Sequence, residues 1–133
     1  WISPNFKEPQ DELNLIEFLV KTIEDDKQNV MLVTNYLFFD SIIVKKLNSP
    51  SRTYDPISFP SKNNKYYNSY KEIFIKKLRT KKIGNIYVFD GVRISQDQIE
   101  RYVTHYISKN CFETTKLKPE IIKLSLKTCK DLN

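Results

Sequence analysis

The stretch Val30-Met31-Leu32-Val33-Thr34 decides the fold that the sequence predicts. It is a short apolar run rich in β-forming residues, which is typical of a strand that is covered on both faces. Residues 86–89 (IYVF) form a second run of the same kind. Because each run follows a segment of helical periodicity, we expect two parallel strands joined by a right-handed crossover.

Four segments with helical spacing of apolar residues surround these strands. The sequence predicts helices over residues 11–23, 36–47 and 67–78, and another that begins at Ser95. Ser95 and Gln98 have the spacing of a capping box. This order predicts a small three-layer, Rossmann-like α/β domain with a mainly parallel sheet flanked by helices.

The segment 112–133 is ambiguous. Ile122, Leu124 and Leu126 alternate as in a strand, whereas Pro119 could open a helix. We slightly favour a strand that is added to the edge of the sheet.

Length and composition indicate one folded domain over residues 1–133. The chain has 133 residues, of which 40% are hydrophobic and 29% are charged, so a single core is expected. Its apolar runs are far shorter than the roughly 20 residues of a membrane-spanning helix. The first residue is Trp1 and no signal sequence follows it, so we expect a fragment of a longer protein.

The net charge of +6 has three explanations. Nucleic acid, an anionic membrane surface, or a composition rich in Lys and Asn could each account for it. The last is favoured, because the basic residues are spread along the chain. The main cluster is Lys76, Lys77, Arg79, Lys81 and Lys82, at the end of a predicted helix where cations also favour the helix dipole.

Ligands of open parallel sheets tend to bind beyond the carboxyl ends of the strands. The residues that this rule selects here are Asn35, Tyr36, Asp40, Asp90 and Arg93. Asn and Asp also end strands and cap helices for local reasons.

A proline-rich connection over residues 48–64 supplies a second group of potential ligand-binding residues. Arg52, Tyr54 and Asp55 combine a guanidinium group, an aromatic ring and a carboxylate, which together could hold an anionic or sugar-like ligand. Alternatively, Arg52 and Asp55 pair only to order the loop.

Neither a cofactor nor a complete catalytic apparatus is predicted. The only glycines are Gly84 and Gly91, so no glycine-rich phosphate loop can be built. The single histidine, His105, has no recognisable nucleophile motif and is interpreted as structural. Cys111 and Cys129 lack the spacing of a metal site, and they are either two free thiols or one disulfide.

Three segments carry a resemblance to a known family. Residues 29–36 (NVMLVTNY), 52–55 (RTYD) and 82–89 (KIGNIYVF) resemble a soluble region of bacterial polytopic membrane glycosyltransferases of the GT-C type. These enzymes are similar to dolichyl-phosphate-mannose-protein mannosyltransferases and use polyprenyl-phosphate sugars. In that family, a small α/β domain outside the cytoplasm follows the transmembrane helices.

The resemblance implies a non-catalytic accessory domain on the periplasmic face of a bacterial membrane. Its partners would be the transmembrane portion of the same chain and a lipid-linked sugar or glycan acceptor. The catalytic carboxylates of the family lie in membrane loops that no position here matches, and the resemblance favours a disulfide between Cys111 and Cys129. The alternatives are a cytoplasmic nucleic-acid- or nucleotide-binding module, a hydrolase with an undetected site, and a structural or protein-binding domain; nucleic acid is the less favoured partner.

Overall fold

The structure is a computed structural model that describes residues 8–34, 36, 38–50, 59–90 and 93–132, apart from the side chain of residue 101. The α-helices are α1 Pro9–Asp25, α2 Phe39–Ile42, α3 Tyr67–Thr80 and α4 Gln96–Ile99. The strands are β1 Asn29–Thr34, β2 Ile83–Phe89, β3 Phe112–Lys118 and β4 Ile121–Leu126. A π-helical segment spans Glu100–Thr104, and single 3₁₀ turns span Lys109–Cys111 and Lys130–Leu132.

The four strands form one mixed sheet in the order β1-β2-β4-β3. The pair β1–β2 is parallel, as the sequence predicted, but β2–β4 and β4–β3 are antiparallel. The prediction of a mainly parallel, three-layer Rossmann-like domain is therefore wrong. Only Pro119 and Glu120 separate β3 from β4, and so short a connection permits a hairpin but not a parallel crossover.

The hairpin also changes the position of the last strand. A strand over Ile122–Leu126 was favoured by its alternating pattern, and β4 confirms it. The expected edge position is wrong, however, because β4 lies between β2 and β3. Strand β3 is the edge, and most of its residues are exposed on both faces. The helices therefore do not cover the whole sheet, which is a second departure from three layers.

The core consists of one apolar cluster on each face of the sheet. Met31 and Val33 face α3 and the segment after Ser95, whereas Val30 and Leu32 face α1 and α2. Strand β1 is thus buried on both faces, as its apolar composition predicted. Residues 99–107 contribute the expected stripe to the first cluster: Ile99, Tyr102, Val103, Tyr106 and Ile107.

The predicted helix over residues 36–47 is reduced to the single turn α2. After it, the chain runs along the outer edge of β1. The Leu32 N–H donates to the Leu47 carbonyl (3.0 Å), and the Ser49 hydroxyl donates to the Leu32 carbonyl (2.9 Å). An edge strand exposes backbone N–H and C=O groups that have no partner in the sheet. Hydrogen bonds between residues 47–49 and β1 satisfy these groups, and they stabilise the extended chain more than the weak helical preference of this β-branched segment stabilises a helix.

The helix that begins at Ser95 has the predicted capping box, with the Ser95 side chain accepting from the Gln98 N–H. The α-helical part ends after one turn, and the chain then continues as the π-helical segment. There the His105 N–H donates to the carbonyl of Glu100, five residues earlier. Segments of this kind are often found beside functional sites.

Cys111 and Cys129 form a disulfide across 18 residues of sequence. Cys111 is fully buried in the cluster beneath α3, and Cys129 packs against the same cluster. The bond ties the last residues of the chain to the start of β3. Among the described residues, no helix is long and apolar enough to cross a membrane.

Candidate functional site

The carboxyl ends of β1 and β2 meet at one edge of the sheet because the two strands are parallel. Tyr36 follows β1 and packs on Phe89, the last residue of β2, with ring centroids 5.0 Å apart. The charge of Asp90 acts on the Tyr36 phenol, since it contributes to the pKa of that group. Two residues that the strand-end rule selected, Tyr36 and Asp90, are therefore brought together.

Tyr36 is held by polar contacts at both ends. Its N–H donates to the Thr34 hydroxyl (3.1 Å), and its own hydroxyl donates to Glu12 Oε1 (2.5 Å). Burial raises the pKa of the Tyr36 phenol, and the hydrogen bond and charge of Glu12 and the charge of Asp90 raise it further. The phenol thus remains protonated at neutral pH, and it acts as a hydrogen-bond donor and not as a base.

Four aromatic rings cover this edge of the sheet, and we call them the strand-end cluster: Tyr36, Phe38, Phe39 and Phe89. Phe38 stacks on Phe39 at 4.9 Å and meets Tyr36 edge-on at 5.6 Å. Phe39 is buried, but 41% of Phe38 is exposed. Buried rings therefore support a ring that is accessible to a ligand.

Asp40 lies beside the strand-end cluster at the first turn of α2, and it is exposed. With Thr34 and Tyr36 it lines a recess of about 10 Å³, which has room for about one water molecule. Glu12 and Asp40 thus lie next to the Tyr36 side chain, and the charge of Asp90 also acts on its phenol. A ligand at this position would lie on the rings and carboxylates at the surface and not in a deep pocket.

Asp90 also has a structural role. Its Oδ2 accepts from Gln98 Nε2 (2.7 Å) and from the Tyr102 hydroxyl (3.1 Å), which fastens the segment after Ser95 to the end of β2. Arg93 is exposed three residues further on.

The other residues selected from the sequence are Asn35, Arg52, Tyr54 and Asp55, and they lie outside the described residues. Their role as ligand contacts stays a prediction.

Sequence reasoning missed Glu12 and Phe38. Glu12 was not singled out within the first predicted helix, and Phe38 lay inside the predicted helix over residues 36–47, of which only α2 forms. No local pattern links Glu12 to Tyr36, because they are 24 residues apart and meet only when α1 packs on the sheet. A run of three aromatic residues within four positions, at the end of a buried strand, was the available signal for Phe38.

A second cavity, of about 500 Å³, lies beside the π-helical segment. It is lined by Phe59, Pro60, Ser61, Asn64, Asp97, Glu100 and His105. His105 Nε2 is 3.8 Å from Glu100 Oε1, and the His105 carbonyl accepts from the Tyr67 hydroxyl at 2.5 Å. Within the part of the chain that the structure describes, no three His, Cys, Asp or Glu residues are grouped so as to hold a metal ion.

Comparisons of the chain with protein-family models, with curated proteins and with solved structures find no match. The chemistry of the strand-end cluster is that of a binding surface. Its rings offer an apolar face, and the neighbouring carboxylates of Glu12 and Asp40 can accept from hydroxyl groups, so each of these features suits a polyhydroxylated ligand.

Proposed function

We propose that this chain is a non-catalytic, extracytoplasmic accessory domain of a membrane glycosyltransferase that uses a lipid-linked sugar donor. The observation that carries the proposal is the strand-end cluster, in which the exposed Phe38 ring packs edge-on against Tyr36, next to the carboxylates of Glu12 and Asp40. A sugar packs its C–H groups on such a ring, while its hydroxyl groups donate to carboxylates. The resemblance of residues 29–36 and 82–89 to the family supports the choice of parent enzyme.

The disulfide supports the extracytoplasmic location. Disulfides persist in oxidising compartments such as the bacterial periplasm and are rare in the cytosol. Cys111 is fully buried and Cys129 is partly buried, so the Cys111–Cys129 bond is part of the packed structure. This favours the accessory domain over a cytoplasmic nucleotide- or nucleic-acid-binding module.

A titration followed by heteronuclear NMR tests the proposal. The probes are a water-soluble, short-chain polyprenyl-phosphate sugar and a free oligosaccharide. We expect saturable shifts of the amide signals of Thr34, Tyr36, Phe39 and Asp90 with at least one of them. Phe38→Ala should weaken the affinity about fivefold, which corresponds to the loss of one aromatic contact of about 1 kcal/mol.

Val44→Ala is the matched control, because Val44 is 97% exposed and is not part of the strand-end cluster. It should bind as the unmodified chain does. The proposal fails if neither probe shifts these signals, or if Phe38→Ala and Val44→Ala bind equally well.

A further inference from the structure

Charge is concentrated in one segment of the chain. Residues 62–82 contain eight Lys and Arg residues and one acidic residue, Glu72, for a net charge of +7. The whole chain carries +6, so the remaining 112 residues together carry −1. Residues 8–26 contain seven acidic residues and one Lys, for a net charge of −6. The net charge of the whole chain is therefore the sum of two strongly charged segments of opposite sign.

The sheet keeps these two segments apart. Helix α1 packs on one face of the sheet through Leu19 and Ile23, and α3 packs on the other through Phe74 and Leu78. The acidic and basic layers consequently point in opposite directions. An anionic surface would attract the α3 side and repel the α1 side, which fixes the orientation of the domain.

The outer side of α3 also carries apolar groups. Ile73 is 51% exposed and Tyr66 is 52% exposed, and Lys65 Nζ lies 5.0 Å from the centre of the Tyr66 ring. Lys76 and Lys81 are exposed on the same helix and at its end. Apolar and aromatic side chains surrounded by lysines are typical of a helix that lies in a membrane interface.

A depression of about 660 Å³ lies along α3, next to these residues. Its lining includes three cations, Lys71, Lys76 and Arg79, and one carboxylate, Glu72. The cations outnumber the carboxylate, so the depression has a net positive charge that suits a phosphate group, and Ile75 adds apolar surface beside it.

We infer that the outer face of α3 docks the domain on a bilayer that contains anionic phospholipids, with headgroup phosphates in the depression and Tyr66 and Ile73 at the interface. Nucleic acid would bind to the cations equally well, but contact with the exposed Ile73 would not strengthen its binding. The disulfide also favours an oxidising compartment over the cytosol. This inference goes beyond sugar binding and does not depend on it.

Co-sedimentation with lipid vesicles tests the inference. One set contains phosphatidylcholine alone, and the other contains about 30% phosphatidylglycerol. We expect binding to the anionic vesicles only, falling steeply as salt screens the charges. Replacing Lys62, Lys65, Lys76 and Lys81 by Gln should lower the partition coefficient by about six hundredfold, since each of the four lysines near a membrane contributes about a fivefold factor. Lys77 and Arg79 are left in place, because they bond to the carbonyls of Ser49 and Asp131.

The matched control replaces four exposed lysines outside the α3 face, Lys109, Lys116, Lys118 and Lys127, by Gln. It removes the same charge and should retain most of the binding. A second variant, Ile73→Ser, keeps every charge and should weaken vesicle binding several-fold while leaving binding to a single-stranded oligonucleotide unchanged. Thermal unfolding verifies that each variant is folded.

Three results would overturn the inference. The first is equal loss of binding in the two lysine variants, which would mean that only net charge matters. The second is no binding to the anionic vesicles. The third is tighter binding to the oligonucleotide than to the vesicles, with no effect of Ile73→Ser on either, which would indicate a nucleic-acid surface.

Discussion

Asp26 fastens the turn between α1 and β1 to the sheet. Its Oδ2 accepts from Asn85 Nδ2 (2.7 Å) and from the Tyr87 hydroxyl (2.6 Å), and its Oδ1 accepts from the Gln28 N–H (2.8 Å). Burial by itself raises the pKa of Asp26, but the three hydrogen bonds and the charge of Lys123 outweigh it, so the pKa lies below its ordinary value of 3.8.

Asp26→Asn should lower the free energy of unfolding at pH 7 by about 2 kcal/mol, because the new amide group places a donor against two donors. The loss should become smaller in acid. The carboxylate of Asp26 has a lowered pKa in the folded state, so its stabilising effect is complete above pH 3.8 and disappears as the pH falls through that lower pKa.

Denaturant unfolding of both proteins between neutral and acidic pH measures this difference. Asp25→Asn is the control, since Asp25 is the exposed neighbour in the same turn. A stability difference for Asp26→Asn that stays constant into strong acid would contradict the assignment of the effect to the charged carboxylate.

At the scale of elements, the C-terminal hairpin and the residues after it depend on two kinds of link. The Lys127 N–H donates to the Cys111 carbonyl (2.8 Å), and the Cys111–Cys129 disulfide closes the loop that contains β3 and β4. Because β3 is largely exposed, it contributes little apolar burial of its own. The disulfide is therefore an important restraint on this half of the sheet.

Replacing both Cys111 and Cys129 by Ser should lower the free energy of unfolding by about 3 kcal/mol, the value for a loop of this length. Chemical denaturation measures the loss. A reducing agent should produce a similar loss in the unmodified chain and none in the double variant. Equal stability of the oxidised chain and the variant would show that the hairpin does not need the bond.

Elements that form through local interactions were predicted correctly, whereas features that depend on pairing between distant residues were not. Helices α1 and α3 and strands β1 and β2 were found from apolar periodicity, which is a local property of the sequence. The helix over 36–47 was wrong because hydrogen bonds from 47–49 to β1 compete with it. The edge position for 121–126 was wrong because strand order depends on pairing across the sheet.

At the scale of the whole molecule, the disulfide bears on where the protein is located. In the native host, mass spectrometry with thiols blocked before and after reduction should find Cys111 and Cys129 linked. Rapid acid quenching of the cells prevents oxidation during isolation. Two thiols that are blocked before reduction would remove the main support for an extracytoplasmic domain, although the strand-end cluster would remain a candidate binding surface.

The sequence by itself determined that the chain has an α/β architecture, that β1 and β2 are buried parallel strands, and that ligands should be sought beyond their carboxyl ends. These conclusions depend on periodicity, composition and chain order, which act over a few residues. Only the tertiary structure decided that a hairpin completes the sheet, that Glu12 reaches Tyr36, and that opposite charges occupy opposite layers. The pairing of β4 with β2 and the contact of Glu12 with Tyr36 join residues that are distant in sequence, and the packing of α1 and α3 on opposite faces of the sheet separates the charges.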